Sequence, residues 1–259
     1  MNALFCHSSC IQTLTEQHGV SIATAIVKST RGVDTLVQVG QKYCTTDLQS
    51  LSSVWKTLHS IVYVKDSLSL MEPKQQMKIL DAALHCLEKL KDGNIKAESI
   101  LYRIMKTLKK LVENDKFFRR NIVALKEKQF VSRCISALQR KTEQGKIFST
   151  GDDACTEATI QIIIECVTKG DDKSIVVDTD WKAFVPFCIS ALVTFGDCGE
   201  VQRSSLWLLK RAVEEIDTKP MATYTFILET FSLLLKSEKV SDSVKKEARD
   251  VVSNLPSVA

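Results

Sequence analysis

Residues 99–112 read SILYRIMKTLKKLV, and this stretch decides the fold class. Its apolar side chains recur at intervals of three and four positions. They are Leu101, Ile104, Met105, Leu108, Leu111 and Val112. Because an α-helix has about 3.6 residues per turn, this spacing places all of them on one face. The stretch therefore predicts an amphipathic helix whose apolar stripe packs against other helices.

The same periodicity extends in both directions from this helix. It continues through Ile79, Ala83, Cys86, Leu87 and Leu90. The dipeptide Glu72-Pro73 predicts that a helix begins with Pro73 as its first residue, and Asp92-Gly93 predicts where that helix stops. We predict an all-α fold of about ten or more helices, with no strand. Their approximate bounds are 8–18, 20–29, 33–43, 46–65, 73–91, 95–114, 118–142 with a break near Lys126, 152–169, 179–195, 199–216, 220–237 and 241–254.

The composition narrows the class of protein further. The chain of 259 residues is 44% apolar and 25% charged, which is ordinary for a globular protein. It contains only 9 glycines and 4 prolines, which argues against disorder, collagen and turn-rich β-sandwiches or barrels. So few glycines also leave little material for a glycine-built phosphate loop.

The cysteines and the hydropathy pattern bear on the compartment. Residues 1–10 show neither a basic segment nor a long apolar segment, so we expect no secretory signal, and no stretch approaches the ~18 apolar residues of a membrane span. The chain has nine cysteines, an odd number. Several occupy apolar positions of helical patterns, namely Cys86, Cys134, Cys166 and Cys188. This usage favours reduced, buried thiols and predicts a cytoplasmic or nuclear protein without a membrane partner.

Two segments of the second half carry a resemblance to a known family. Residues 200–209 read EVQRSSLWLL, which resembles the Val-Gln-x-x-Ala-x-Trp-Ala-Leu start of the second helix in armadillo repeats. Residues 181–192 read WKAFVPFCISAL and resemble the Ile-Pro-x-Leu-Val-x-Leu-Leu helix that precedes it. The helical runs end at residues 62, 112, 167, 213 and 255. The last two intervals match the ~40–47 residues of armadillo and HEAT repeats, while the earlier ones require insertions.

The resemblance implies a right-handed α-solenoid of armadillo/HEAT-like stacked helical repeats and a non-enzymatic scaffold or adaptor for protein–protein interaction. We expect a single helical-repeat domain over 1–259, in which 1–149 holds divergent repeats and 150–259 the clearer ones. The resemblance does not extend to the Trp-x-x-x-Asn ladder with which importin-type armadillo proteins bind basic peptides. Arg211 follows Trp207 at the fourth position, and His59 follows Trp55 in the same way.

No stretch of the chain carries a recognisable enzyme motif. The phosphate-binding, dinucleotide-binding, zinc-protease and nucleophile-elbow patterns are all missing from the sequence. The cluster Cys6-His7 with Cys10 has no second ligand pair downstream, and the aspartates of 152–153 and 178–180 lack the further ligands of a calcium loop. We therefore expect no catalytic residue, cofactor, metal or small-molecule substrate. A helical enzyme whose site has no local signature stays open as a lesser alternative.

The charge is unevenly distributed along the chain. Residues 89–146 contain 16 lysines and arginines against 6 acidic residues, although the whole chain has a net charge of only +4. An acidic segment, residues 152–180, follows directly with eight aspartates and glutamates. Such asymmetry predicts a charged partner.

Within the basic segment, helical spacing predicts a ridge of positive charge. Lys96, Arg103 and Lys110 lie seven residues apart, with Lys106 on the same face, opposite the apolar stripe. At ~1.5 Å per residue the ridge is about 20 Å long. Arg119 and Arg120 extend it into the next segment.

Three interpretations of this ridge stay open. It is a solvated helix face, a surface for an acidic peptide or domain of another protein, or a nucleic-acid site that contacts phosphates without reading bases. If the ridge is not the site, a groove beside Trp181 and Trp207 is the next candidate. For Trp207 itself we predict a position in the core, because Leu206, Leu209 and Val213 share the apolar pattern of its helix.

Overall fold

The computed structural model describes the chain in nine segments. They are residues 20–29, 31–64, 66–90, 95–139, 153–169, 178–195, 198–214, 221–238 and 240–253. Within them every regular element is an α-helix, which confirms the predicted all-α class. The tight contacts divide the chain into two compact units, Met1–Ala137 and Leu138–Ala259.

The first unit contains eight helices in its described part. They are α1 (Val20–Lys28), α2 (Gly32–Tyr43), α3 (Leu48–Tyr63), α4 (Ser67–Leu70), α5 (Pro73–Lys89), α6 (Ile95–Glu113), α7 (Asp115–Glu127) and α8 (Phe130–Gln139), whose last turn crosses the division. The most extensive packing joins α3 and α6, and α2 packs against both α3 and α5. A Cβ atom at Gly32 would collide with the carbonyl oxygen of Ile26, so only glycine fits where α2 begins beside α1.

The ends of these helices follow local chemistry. Asp47 precedes α3, and its carboxylate accepts hydrogen bonds from the backbone N–H groups of Gln49 and Ser50 at 3.0 and 3.1 Å. Pro73 is the first residue of α5, as predicted, and the Gln75 side chain accepts from the backbone N–H of Glu72 at 3.0 Å. The predicted helix 118–142 is indeed broken, with α7 ending at Glu127 and Gln129 at a φ of 49° before α8 begins.

The second unit contains five helices in its described part, namely α9 (Asp153–Thr168), α10 (Asp178–Thr194), α11 (Gly199–Glu214), α12 (Met221–Lys236) and α13 (Asp242–Ser253). Helix α11 packs against α9, α10 and α13, and α12 packs against α10 and α13. Every one of these five helices thus packs against a helix two positions away in the chain order. Before α13, the Ser241 hydroxyl lies 3.5 Å from the backbone nitrogen of Val244, in agreement with its predicted capping position.

The core of the first unit is built from the stripe that the sequence predicts. All six apolar residues of 99–112 named above are buried. Trp55 is the largest enclosed side chain of the unit and has no exposed surface. Helix α3 supplies Trp55, and helix α6 supplies the apolar stripe. The packing between these two helices therefore determines which of their side chains lie together at the edge of the contact.

Side-chain contacts also join helices that are distant in the sequence. Lys78 pairs with Asp34, 44 residues away, and the Cys86 thiol lies 3.9 Å from the Gly40 carbonyl oxygen, 46 residues away. In the second unit the Gln161 amide donates to the Ser204 hydroxyl over a separation of 43 residues. Contacts across 43 to 46 residues therefore occur in both units.

Candidate interaction surface

Three predicted cations of the ridge lie along the border of α6. Arg103, Lys106 and Lys110 are half-buried, because this border flanks the surface on which α6 packs against α3. Their charged ends lie beside α3 rather than on a fully solvated face. The predicted ridge is therefore a lateral seam between two helices.

Helix α3 contributes an aromatic pair to this seam. The rings of His59 and Tyr63 stack with their centroids 4.4 Å apart and an interplanar angle of 26°. The Tyr63 hydroxyl donates a long hydrogen bond of 3.5 Å to the backbone carbonyl of Lys106. Tyr63 remains 42% exposed, so its ring is accessible from solvent despite these contacts.

Two lysines of α6 lie over tyrosine rings. The Lys106 ammonium is 5.6 Å from the centroid of Tyr102, and the Lys110 ammonium is 5.7 Å from that of Tyr63. Both distances lie within the range of a cation–π contact. We name the surface formed by these side chains the basic-aromatic patch. It consists of His59, Tyr63, Tyr102, Arg103, Lys106 and Lys110.

The positive charges of the patch are only partly compensated. Glu113 accepts from Lys109 at 2.9 Å and from Lys110 at 3.1 Å. Burial opposes ionisation of this carboxyl, but the two lysines outweigh it and hold the pKa of Glu113 below its ordinary value. The charge of Lys110 is therefore balanced by a carboxylate of the same helix. Arg103 and Lys106 make no ion pair within the described part of the chain.

The positive charges of the patch also affect the pKa of His59. Burial, followed by the charges of Arg103 and Lys106, lowers the pKa of His59 from 6.5 to about 4. His59 is consequently neutral at physiological pH. The structure thus brings two residues of α3, His59 and Tyr63, into a site that the sequence predicted from α6 and the segment after it.

The structure does not assign the other predicted ridge residues to the patch. The side chain of Lys96 lies outside the described residues. Arg119 and Arg120 are exposed on α7, and among the described residues no ion pair or cation–π contact joins them to the patch. Further along the basic segment, Lys128 and Arg133 form ion pairs with acidic residues of α5, at 2.8 and 2.7 Å. Folding therefore neutralises part of the charge that the sequence shows as a continuous block.

The prediction of a buried Trp207 is wrong. Trp207 is 38% exposed, whereas Leu206 and Leu209 are buried as expected. Helix α11 contacts α9, α10 and α13 with a wide face that includes buried Ser204 and Ser205. Trp207 lies on the opposite face with the exposed cations Arg203, Lys210 and Arg211.

The four cysteines predicted at apolar positions are buried. Burial raises the pKa of Cys86 and of Cys134 to about 12, which keeps these thiols protonated and unreactive. Among the described residues no group of three or more His, Cys, Asp or Glu side chains is arranged to hold a metal ion. The Cys6-His7 and Cys10 cluster lies outside the described residues, as do the side chains of Asp178 and Asp180.

Comparison with known proteins gives no assignment. No family model, no curated protein and no solved structure matches the chain. Within the described residues, none of the helices combines the length and the apolar character that crossing a bilayer requires.

Proposed function

We propose that the chain is a non-enzymatic interaction scaffold of the cytoplasm or nucleus, built as an α-solenoid of armadillo/HEAT-like repeats. It holds an acidic segment of a partner protein on the basic-aromatic patch. The observation that carries the proposal is the pair Arg103 and Lys106, two half-buried cations at one helical border without an acidic partner among the described residues.

The repeated packing offset supports the solenoid. Contacts between stacked helices of the first unit join residues 43 to 48 positions apart, and those of the second unit residues 39 and 43 apart. Helices α3 and α6 also run parallel, since His59 adjoins Arg103 while Tyr63, one turn later, adjoins Lys106 and Lys110. Parallel stacking at a period near that of armadillo and HEAT repeats is what successive copies of one helical unit produce.

The chemistry of the patch favours an acidic protein segment. A half-buried cation without an ion pair loses hydration without regaining a carboxylate, so a docked anion recovers that interaction. Exposed Tyr63 adds an apolar surface with a hydroxyl at its edge, the kind of side chain that is enriched in binding hot spots. An acidic segment with an apolar or aromatic side chain complements both features.

Nucleic acid is the second candidate, because aromatic rings alternate with cations on the patch. Sequence-tolerant binding of single strands requires ring faces on which bases stack. The ring of Tyr63 already contacts His59 and Lys110, and that of Tyr102 contacts Lys106. Because these ring faces are already in contact with other side chains of the chain, the patch favours the protein segment over the nucleic acid.

A charge-reversal series tests the proposal. The variant carrying Arg103→Glu, Lys106→Glu and Lys110→Glu is compared with one carrying Lys236→Glu, Lys246→Glu and Arg249→Glu. The second set makes the same charge change at exposed positions of the other unit. Fluorescence anisotropy measures binding of a pool of labelled acidic peptides and of a single-stranded RNA, at about 50 and about 200 mM salt.

We expect the patch variant to bind the acidic pool at least about tenfold more weakly, or ~1.4 kcal/mol, and the control to bind like the wild type. The melting curves should stay close to that of the wild type, which separates lost docking from lost folding. Equal binding by both variants would remove the patch from the interaction and direct attention to the face of Trp207. Preferential binding of RNA with a steep salt dependence would establish the nucleic-acid alternative.

A further inference from the structure

Half-buried cations of the first unit fall into two groups. Five of them lie in ion pairs, namely Lys78, Lys109, Lys110, Lys128 and Arg133. Three have no ion pair among the described residues, namely Lys56, Arg103 and Lys106. The unpaired cations therefore include two residues of the basic-aromatic patch.

The parallel register of α3 and α6 places the third unpaired cation beside the patch. His59 adjoins Arg103, and the helices run in the same direction. Lys56 precedes His59 by about one turn, so its register position on α3 lies next to residues 99–103 of α6. The three unpaired cations thus occupy neighbouring positions along one seam.

Arg103 is held in place before any ligand arrives. Its Nε atom is enclosed by protein and makes no hydrogen bond with a described residue, while the residue as a whole keeps part of its surface in solvent. Enclosure of the stem limits the rotamers of the side chain and leaves the guanidinium end to bind a ligand. A guanidinium binds phosphate and carboxylate through two parallel N–H donors, a geometry that lysine lacks.

We infer that the basic-aromatic patch recognises a phosphorylated serine or threonine within the acidic segment of the partner. This inference rests on the proposed function and names the chemical group that the patch selects. A phosphate monoester carries about −1.5 to −2 charges near neutral pH and offers three acceptor oxygens. Arg103 and Lys106 lie one turn apart, with Cβ atoms about 5–6 Å apart, so one phosphate group reaches both.

A carboxylate matches this site less well. It brings a single charge and two oxygens, and therefore leaves one of the two adjacent cations uncompensated. A nucleic-acid phosphate is a diester with one charge, and its bases would need the ring faces already in contact with His59, Lys106 and Lys110. The local excess of positive charge thus selects the monoester over both.

The experiment uses three pools of short acidic peptides with phosphoserine, serine or glutamate at the central position. Anisotropy is measured for the wild type, Arg103→Lys, Lys106→Gln and the control Arg120→Lys. We expect the phosphoserine pool to bind at least about tenfold more tightly than either other pool. Arg103→Lys keeps the charge but removes the two parallel N–H donors, and it should abolish most of that preference. Lys106→Gln should do the same, whereas Arg120→Lys should retain the preference.

A spectroscopic measurement covers the case in which a substitution perturbs folding. NMR follows the His59 ring of the wild type during titration with the phosphoserine pool. A bound phosphate monoester keeps at least one negative charge across this pH range and offsets the charges of Arg103 and Lys106, so the pKa of His59 should rise on binding. An unchanged His59 titration, with the peptide bound, would place the phosphate elsewhere and overturn the inference.

The remaining outcomes are equally decisive. The three pools could bind with equal affinity, and this binding could be lost in the triple charge-reversal variant. That result would overturn the phosphate inference and leave the acidic-partner proposal standing. Binding of single-stranded RNA without binding of any peptide pool would overturn both. Absence of binding to every pool would also overturn the inference and count against the proposed function.

Discussion

Replacing Trp207 with alanine should destabilise the second unit much less than replacing an enclosed aromatic residue of the same unit. Phe187 supplies the comparison, because it is 1% exposed whereas Trp207 is 38% exposed. Emptying an enclosed aromatic site typically costs ~3–5 kcal/mol of unfolding free energy. We expect Phe187→Ala to fall in that range.

The cost at Trp207 follows from its exposure. A fully enclosed aromatic side chain removes roughly 150–250 Å² from water. About three fifths of that area at ~25 cal/mol per Å² gives ~2–4 kcal/mol, which is an upper limit because the denatured chain already buries part of it. Solvent fills the vacated space without leaving a cavity, and alanine favours the helix by about 0.5 kcal/mol. We therefore expect Trp207→Ala to cost about 1–2 kcal/mol.

Urea denaturation followed by circular dichroism at a helical wavelength measures both variants against the wild type. The two substitutions lie in one compact unit, so the same transition reports on both. A loss for Trp207→Ala equal to that for Phe187→Ala would refute the assignment of Trp207 to the outer face of α11. Tryptophan fluorescence with acrylamide gives an independent check, since Trp207→Ala should remove quenchable emission.

Three further outcomes follow from particular side chains. Alkylation mapped by mass spectrometry should modify half-exposed Cys198 well before Cys86, because burial raises the pKa of Cys86 to about 12. Since folding lowers the pKa of His59 from 6.5 to about 4, protonation favours the unfolded chain. The wild type should thus lose stability as the pH falls from about 6.5 towards 4, and His59→Gln should lack this component in urea midpoints measured across that range. Asn114 accepts from the backbone N–H of Phe117 at 2.9 Å at the start of α7, so Asn114→Ala should cost about 1 kcal/mol in the same assay.

The helices were predictable because their apolar residues recur at the local spacing of a helix. Leu101, Ile104 and Leu108 are buried on one face of α6, and that burial needs only the helical period. The prediction for Trp207 was wrong for a related reason. Its apolar neighbours are buried, but Trp207 lies on the same helical face as the exposed residues Arg203 and Lys210. That polar pattern was present in the sequence and was the signal of an outer face.

The site was less accessible to sequence reasoning, since its parts come from two helices. Arg103, Lys106 and Lys110 were predicted from the spacing within α6. Tyr63 joins them through contacts that span 43 and 47 residues, and nothing local in α3 indicates its neighbours. The same long-range packing pairs Lys128 with Asp81 on another helix, which a count of charges along the segment does not show.

The close approach of α1 and α2 offers a tool for work in cells. Any side chain at position 32 meets the backbone of Ile26, so Gly32→Ala strains a junction that lies outside the patch. A strained junction lowers the margin of stability, and that margin shrinks on warming. Gly32→Ala is therefore a starting point for a temperature-sensitive allele, in which a shift to higher temperature unfolds the protein in living cells. The processes that fail first after the shift would point to its partner.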